Sequence, residues 1–355
     1  MRRCLQLALH GAGYTGSNPM VGAVLVYGDR IIGEGYHERY GEAHAEVNCI
    51  RSVASADQPL IPDSTIFVSL EPCAHFGKTP PCADLIINHG IRHVVVGCRD
   101  PFREVDGKGI EKLRNAGISV EVGMLEDECR AINRRFFTYH TKQRPYIILK
   151  WAETADRFIG STGDRLMISN DLSQRLVHRW RSEEMCVMVG TNTALADDPE
   201  LTVRKWTGNN PVRLVVDRNL RLPETLKLFD RTVQTVVLND SRHEAGNMIH
   251  HVKPDYNNTD SPVQAFLSSI AARGITSVLV EGGRQLLQSF IETGCWDEAR
   301  VITNQMMFAH HGVPAPQLKN AVMFRHTYLR NDLVRWFQNP FNPYHLNCLN
   351  DYERC

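Results

Sequence analysis

EPCAHFGKTPPC, Glu71 to Cys82, follows directly on the apolar run TIFVSL and ends where ADLIINHG takes up helical spacing. A strand therefore runs into a loop that holds Cys73, and Cys82 stands just before the next helix. Upstream, HAEVNCIRSVA carries apolar residues at helical intervals, which predicts a helix over about Ala43 to Ser55 with His44 and Glu46 on its first turn. One imidazole and two thiolates, His44, Cys73 and Cys82, suit zinc, which prefers nitrogen and sulfur in a tetrahedral shell.

Three protein ligands leave one corner for water, as catalytic zinc sites do; a fourth ligand from His75 would make the site structural instead. Zinc brings the pKa of a bound water to about 7, and Glu46, two residues beyond a ligand, would take its proton. That chemistry is deamination: hydroxide attacks a ring carbon bearing an exocyclic amine, and Glu46 passes the proton to the departing ammonia. The interval between the cysteines is longer than the Pro-Cys-x-x-Cys of nucleobase deaminases. Its extra residues make an overhanging loop in which His75 and Lys78 would meet a phosphate and Gly77 lets the backbone turn.

Around this centre the first half alternates strand and helix. The segment up to His10 reads as helical, NPMVGAVLVYGDRIIGEGYH as a hairpin, ADLIINHG as a helix closed by Gly90, and HVVVGCRDP as a further strand. The pattern lapses at TYHTKQRP, Thr138 to Pro145, which sets a domain boundary, and then restarts. PYIILKWA, VRLVVDRN, TVQTVVLND, ITSVLVEGG and DEARVITNQ read as strands, MCVMVGTNTALADDP as a strand into a loop, and DLSQRLVHRWRSE, SPVQAFLSSIAARG and RQLLQSFIETG as helices. The last residues show no period and read as an irregular tail.

The stretch GAGYTG, Gly11 to Gly16, has the spacing of a dinucleotide-binding fingerprint, but it follows a helix and leads into Asn18-Pro19, so both contextual requirements fail. Gly282 and Gly283 are better placed for an anion such as a pyrophosphate, between the strand SVLVE and the helix RQLLQSFI. Arg181 and Arg204 offer planar forks for a substrate phosphate.

The bulk numbers agree with two soluble domains. Of 355 residues 43% are hydrophobic, and 40 Lys and Arg balance 40 Asp and Glu, so the electrostatic footprint of a nucleic-acid or membrane-surface binder is missing. The arginines and short apolar run at the amino terminus do not make a signal peptide, and no window is apolar enough for a bilayer. Ten cysteines in so long a chain read as reduced thiols, with Cys4, Cys49, Cys129, Cys186 and Cys295 as small core residues.

Taken together, NPMVGAVLV, HAEV, EPCAHFGKTPPC and CRDP closely resemble the bifunctional riboflavin-biosynthesis deaminase-reductases. LKWAETADRFIG, HRWRSE, VGTNTALADDPELTVR, PVRLVVDR and LVEGGRQLLQSFI resemble that family's reductase half. The resemblance runs from about Cys4 to about Asn339. It implies a cytidine-deaminase-like three-layer α/β/α zinc domain over 1–143, a dihydrofolate-reductase-like α/β domain over 144–340, and a tail over 341–355. It implies removal of the 2-amino group of 2,5-diamino-6-(5-phosphoribosylamino)pyrimidin-4-one, then NADPH-dependent reduction of the ribosyl group to ribityl, by a cytoplasmic homo-oligomer.

Carried over by residue, the resemblance gives His44, Cys73 and Cys82 to zinc and makes Glu46 the proton shuttle. Asn18, His75, Lys78 and Asp100 go to the deaminase substrate, and Arg165, Arg181, Leu201, Arg204 and Glu281 to the reductase substrate. Ala152, Met167, Thr193, Asp197, Gly282 and Gly283 go to the cofactor, and Arg218, after a strand end, points to a 2′-phosphate. The chain departs from the family in having Arg157 for a glycine and Arg165 for a small polar residue; an arginine there would block the site or add a phosphate contact. Three other readings compete: a nucleic-acid-base deaminase, a deaminase whose reductase half is impaired, and a zinc-stabilised nucleotide sensor without turnover.

Overall fold

Alternation along GAVLVY builds the first layer. Ala23 and Leu25 face one cluster of buried side chains, and Val24 faces another with Cys4 and Leu7. A strand buried on both faces needs helices on both, and the computed structural model supplies them. It describes residues 1–74, 76, 80–161, 166–257, 259–344 and 346–351. Two compact units result, Met1–Lys142 with the residues from Tyr344 on, and Gln143–Pro343.

In the first unit α1 (Arg2–Leu9) precedes the hairpin β1 (Gly22–Tyr27) and β2 (Arg30–Tyr36). Then come α2 (Ala45–Arg51), β3 (Thr65–Leu70), α3 (Cys82–Asn88), β4 (His93–Cys98), α4 (Lys108–Asn115), β5 (Ser119–Val122), α5 (Glu126–Ile132) and α6 (Arg134–Lys142). The sheet order is β2-β1-β3-β4-β5, antiparallel from β2 to β3 and parallel from β3 to β5. Ala45, Cys49 and Ile50 of α2 and Ala83 and Ile86 of α3 pack on the Ala23 face, and α1 covers the other, giving three α/β/α layers.

The second unit contains β6 (Tyr146–Thr154), β7 (Phe158–Gly160), α7 (Asp171–Glu183), β8 (Cys186–Gly190), α8 (Thr191–Asp197), β9 (Val212–Val216), β10 (Thr235–Leu238), β11 (Glu244–Ala245) and β12 (Ile249–Val252). It continues with α9 (Pro262–Ala271), β13 (Ser277–Gly282), α10 (Arg284–Glu292), β14 (Glu298–Asn304), β15 (Val313–Pro314), β16 (Val322–Leu329) and β17 (Asp332–Gln338). Its ten-stranded sheet runs β11-β12-β10-β9-β8-β13-β6-β14-β17-β16, parallel from β12 through β14 and antiparallel at both edges. The Asn170 side chain starts α7 by accepting from the amides of Leu172 (3.0 Å) and Ser173 (3.1 Å), and Ser261 caps α9 ahead of Pro262.

Three readings need correction. The polar stretch Thr138 to Lys142 continues α6, because nothing in it breaks a helix before Gln143 and Pro145. TNTALAD is the short helix α8, with Ala194 buried beneath it, not a loop. Beyond Tyr344 a 3-10 turn, Leu346–Asp351, buries Leu346 and Leu349, so the end of the chain is not wholly irregular. All five cysteines expected in the core are buried, and no helix among the described residues is long and apolar enough to cross a membrane.

Candidate active sites: a zinc-type centre and a reductase cavity

The residue before α2 carries the first ligand. His44 has extended backbone (φ −72°, ψ 164°) and stands at the N-cap of the helix without capping it through its side chain. Its Nδ1 lies 3.3 Å from Cys82 Sγ and 3.6 Å from Cys73 Sγ, and the three ligand atoms all fall within 4.8 Å of one another. Tetrahedral bonds of about 2.05 Å to nitrogen and 2.3 Å to sulfur separate such atoms by about 3.6 Å, so the set fits zinc. The Cys82 thiol and then His44 hydrogen-bond Cys73 and hold it well below the usual thiol range, as a thiolate ligand requires.

Glu46, in the first turn of α2, is 3% exposed, and burial pushes its carboxyl up to about 7. A carboxyl so poised both accepts and returns a proton near neutrality. Asn18 reaches the centre through a neighbour: its Nδ2 is 3.1 Å from His37 Nε2, and the His37 ring stands edge-on to His44 with centroids 5.6 Å apart. His37 Nδ1 is 3.1 Å from the Ala43 carbonyl, which only accepts, so Nδ1 carries the proton and Nε2 accepts from Asn18. The Asn18 amide is thereby oriented with Oδ1 left for another partner. Burial raises the Asp100 carboxyl to about 7, with Glu71 and Cys73 adding to the rise.

Sequence reasoning missed His37 and Glu71. The buried Glu71 carboxylate accepts from four amides of the 100–110 segment: Asp100 (3.2 Å), Gly107 (3.0 Å), Gly109 (2.9 Å) and Ile110 (3.3 Å). A side chain at Gly109 would strike the Pro72 carbonyl, so this approach requires glycine. No local pattern joins residues so far apart. His75, Lys78 and Gly77 lie outside the described residues, as does Arg165 of the second unit.

In the second unit a cavity of about 1240 Å³ opens at the carboxyl ends of β6, β8, β9 and β13, where parallel sheets place their ligands. Ala152, Met167, Thr193, Asp197, Gly282 and Gly283 all line it, as do Arg181, Leu201, Arg204 and Glu281. At Gly283 a Cβ would lie 2.6 Å from Thr193 Oγ1, so a glycine here lets the Thr193 hydroxyl pack against the start of α10. Arg181 is not a free fork. Its Nε and Nη2 donate to Glu281 (2.6 and 2.9 Å) and its Nη1 to the Thr202 carbonyl (3.1 Å). Arg204 donates to Glu200 (2.9 Å) and to the Thr202 hydroxyl (2.8 Å). Lys150, a further cavity residue missed because it sits in an apolar strand, lies 3.6 Å from Glu281, and burial lowers its pKa.

Arg157 occupies left-handed backbone (φ 66°), the conformation that explains a glycine at this place. Its guanidinium is 3.8 Å from Glu153, and Arg157 is not among the described residues that line the cavity. Gly11 to Gly16 follow α1 and its turns, not a strand.

A zinc-type hydrolytic centre on one α/β unit and a nucleotide-sized cavity on a second define a two-domain deaminase-reductase. The comparisons agree. Residues 1–98 match the cytidine and deoxycytidylate deaminase zinc-binding region, and residues 145–331 match the RibD C-terminal domain. The riboflavin biosynthesis protein RibD of Aquifex aeolicus is 40% identical over 84% of this chain and 83% of its own, and that of Escherichia coli 32% over 84% of each. Among solved structures, the Thermotoga maritima diaminohydroxyphosphoribosylaminopyrimidine deaminase/5-amino-6-(5-phosphoribosylamino)uracil reductase is 34% identical with a TM-score of 0.85, over 96% of this chain and 97% of that one. Acinetobacter baumannii RibD is 30% identical, also at 0.85, over 95% and 97%. The chain belongs to the RibD family, the bifunctional deaminase-reductases of riboflavin biosynthesis, and carries both halves; these use zinc and NADPH.

Proposed function

We propose that the chain deaminates 2,5-diamino-6-(5-phosphoribosylamino)pyrimidin-4-one at carbon 2 and then reduces the ribosyl group, giving 5-amino-6-(5-phosphoribitylamino)uracil. The observation that carries the reading is the ligand trio His44, Cys73 and Cys82 with the buried Glu46 carboxyl on the adjoining helical turn.

Bound zinc supplies a water of lowered pKa. Glu46 takes a proton as the water oxygen bonds to carbon 2 and returns it as the carbon–nitrogen bond breaks, so water is consumed and ammonia leaves. Asn18, oriented by His37, offers Oδ1 to a ring N–H, and Asp100 offers a second polar contact. His75 and Lys78 are assigned to the ribose phosphate.

Bound NADPH supplies the two electrons of the second step, and the cavity orients the substrate for them. Arg204 and Leu201 face the substrate, while Arg181 and Glu281 act as one unit that fixes the wall behind it. The oxygen that becomes a hydroxyl needs a proton, and Lys150 is a buried cavity group that holds one at Nζ. Ala152, Met167, Thr193, Asp197, Gly282 and Gly283 contact the nucleotide, and Arg218 remains the residue assigned to a 2′-phosphate.

Balanced charge supports a small-molecule substrate and opposes nucleic acid. Free, buried thiols support a reducing compartment, the cytoplasm, and the family resemblance supports a homo-oligomer, which sedimentation would test. Mass spectrometry of the products with and without NADPH tests the substrate assignment: two successive ribotides are expected, and an unchanged pyrimidine amine would refute it.

A further inference from the structure

Between the turns that follow α1 and the first strand, Pro19 to Val21 lie in no helix or strand, so their backbone groups need partners from elsewhere. The Asn18 N–H donates to the Thr15 carbonyl (3.0 Å), and the Val21 carbonyl accepts from the His37 N–H (2.9 Å). Pro19 has no N–H to place. Met20 has no backbone partner among the described residues, and both of its groups meet one side chain, Asn133, 113 residues further along. The Met20 N–H donates to Asn133 Oδ1 at 2.8 Å, and Asn133 Nδ2 donates to the Met20 carbonyl at 2.9 Å.

Asn133 stands at the junction of α5 and α6 and is 2% exposed. Its Nδ2 also reaches the Cys129 carbonyl of α5 at 3.5 Å, and its own carbonyl accepts from the Phe137 N–H of α6 at 3.0 Å. Both ends of the side-chain amide are engaged, so it cannot turn without losing bonds. Packing alone would not select an asparagine here, because a buried amide is costly unless it is hydrogen-bonded, and its two short bonds both go to the backbone of one loop residue.

That residue is two positions from Asn18. The ring of Pro19 fixes its φ, and the residue before a proline is biased to extended backbone. Few torsions remain free between the held Met20 peptide and Asn18, so the position of one is passed to the other. His37 then sets the rotation of the Asn18 amide through the 3.1 Å contact of Nε2 with Nδ2. One contact places the backbone and the other turns the side chain.

We propose that Asn133 is a positioning residue of the deaminase: by clamping both backbone groups of Met20 it places the Asn18 amide against the pyrimidine. The proposal rests on reading Asn18 as a substrate contact, and it gives the α5–α6 junction, which holds no zinc ligand, a part in substrate binding.

The test is steady-state deamination of the diaminopyrimidine ribotide by the full-length zinc-loaded protein and by Asn133→Ala, Asn133→Asp, Asn18→Ala and the double variant Asn18→Ala/Asn133→Ala. Asn133→Ala should raise KM about ten-fold and leave kcat and zinc content close to those of the parent. Asn133→Asp keeps the shape but sets an oxygen against the Met20 carbonyl; it should raise KM as well, which keeps the test open if the alanine variant is too unstable to assay. The double variant should bind no worse than Asn18→Ala, since one residue acts through the other. Unchanged reduction of the deaminated ribotide verifies that the rest of the chain is intact. An unaltered KM in both Asn133 variants overturns the proposal, as do multiplying effects in the double variant, or a fall in kcat with loss of zinc, which would make Asn133 purely structural. If Asn18→Ala itself leaves KM unchanged, the reading of Asn18 fails and the proposal falls with it.

Discussion

Arg181 and Glu281, one hundred residues apart, meet as a bidentate pair, Nε to Oε1 at 2.6 Å and Nη2 to Oε2 at 2.9 Å, in the wall of the reductase cavity. Burial alone would raise the Glu281 carboxyl, but the charges of Arg181 and Lys150 outweigh it and bring the group to about 2. The folded pKa is thus below the ordinary 4.5, so the pair stabilises fully above pH 4.5 and progressively less as pH falls toward 2. Glu281→Gln leaves two buried cations without a carboxylate and should cost about 3–5 kcal/mol at neutral pH. The Tm deficit of this variant should shrink on going from pH 7 to pH 3; an equal deficit at both would contradict the assignment.

Glu46→Gln keeps the shape of the deaminase centre and removes its proton carrier. Deamination should fall by at least about 10²–10⁴-fold, while metal analysis still finds one zinc per chain and NADPH oxidation with the deaminated ribotide continues. Loss of zinc from this variant would make Glu46 a ligand or its support instead.

Chelation should separate the two activities. Removing zinc, or replacing Cys82 by Ser, should abolish ammonia release and leave NADPH-dependent reduction of the deaminated ribotide unchanged. Persistent deamination in metal-free protein would reject the zinc assignment.

Glu71 holds the 100–110 segment through four backbone amides, two of them from Gly107 and Gly109. Glu71→Gln puts a donor among those donors and should cost about 2–3 kcal/mol. If the segment serves to position Asp100, the KM for deamination should rise more than kcat falls, whereas a purely structural role would lower Tm and leave KM alone.

The parts of the fold and sites that could be read from sequence are those where chemistry and spacing coincide. His44, Glu46, Cys73 and Cys82 announce themselves because a metal needs those atoms on a turn and two loop ends, and α7 is legible from Asp171 onward, where DLSQRLVHRWRSE reads as a helix, although its Asn170 cap is seen only in the structure. Where contacts are non-local, the reading failed. His37 directly follows the hairpin strand β2 and becomes informative only when Asn18 and Ala43 fold onto its two nitrogens. Arg181 and Glu281 were both recognised as cavity residues, yet nothing in their local sequence says that each is the other's partner. The hairpin of β16 and β17 escaped notice because β16 buries none of its residues and lacks a clean apolar alternation.

The most direct test of the account is a two-stage assay on the purified protein with the diaminopyrimidine ribotide. Without NADPH it should release one ammonia per substrate and stop at the ribosyl product; with NADPH it should continue to the ribityl product, consuming one NADPH each. Ammonia release with no NADPH oxidation, with either the first substrate or the deaminated ribotide, would contradict a working second site and leave the chain a deaminase alone.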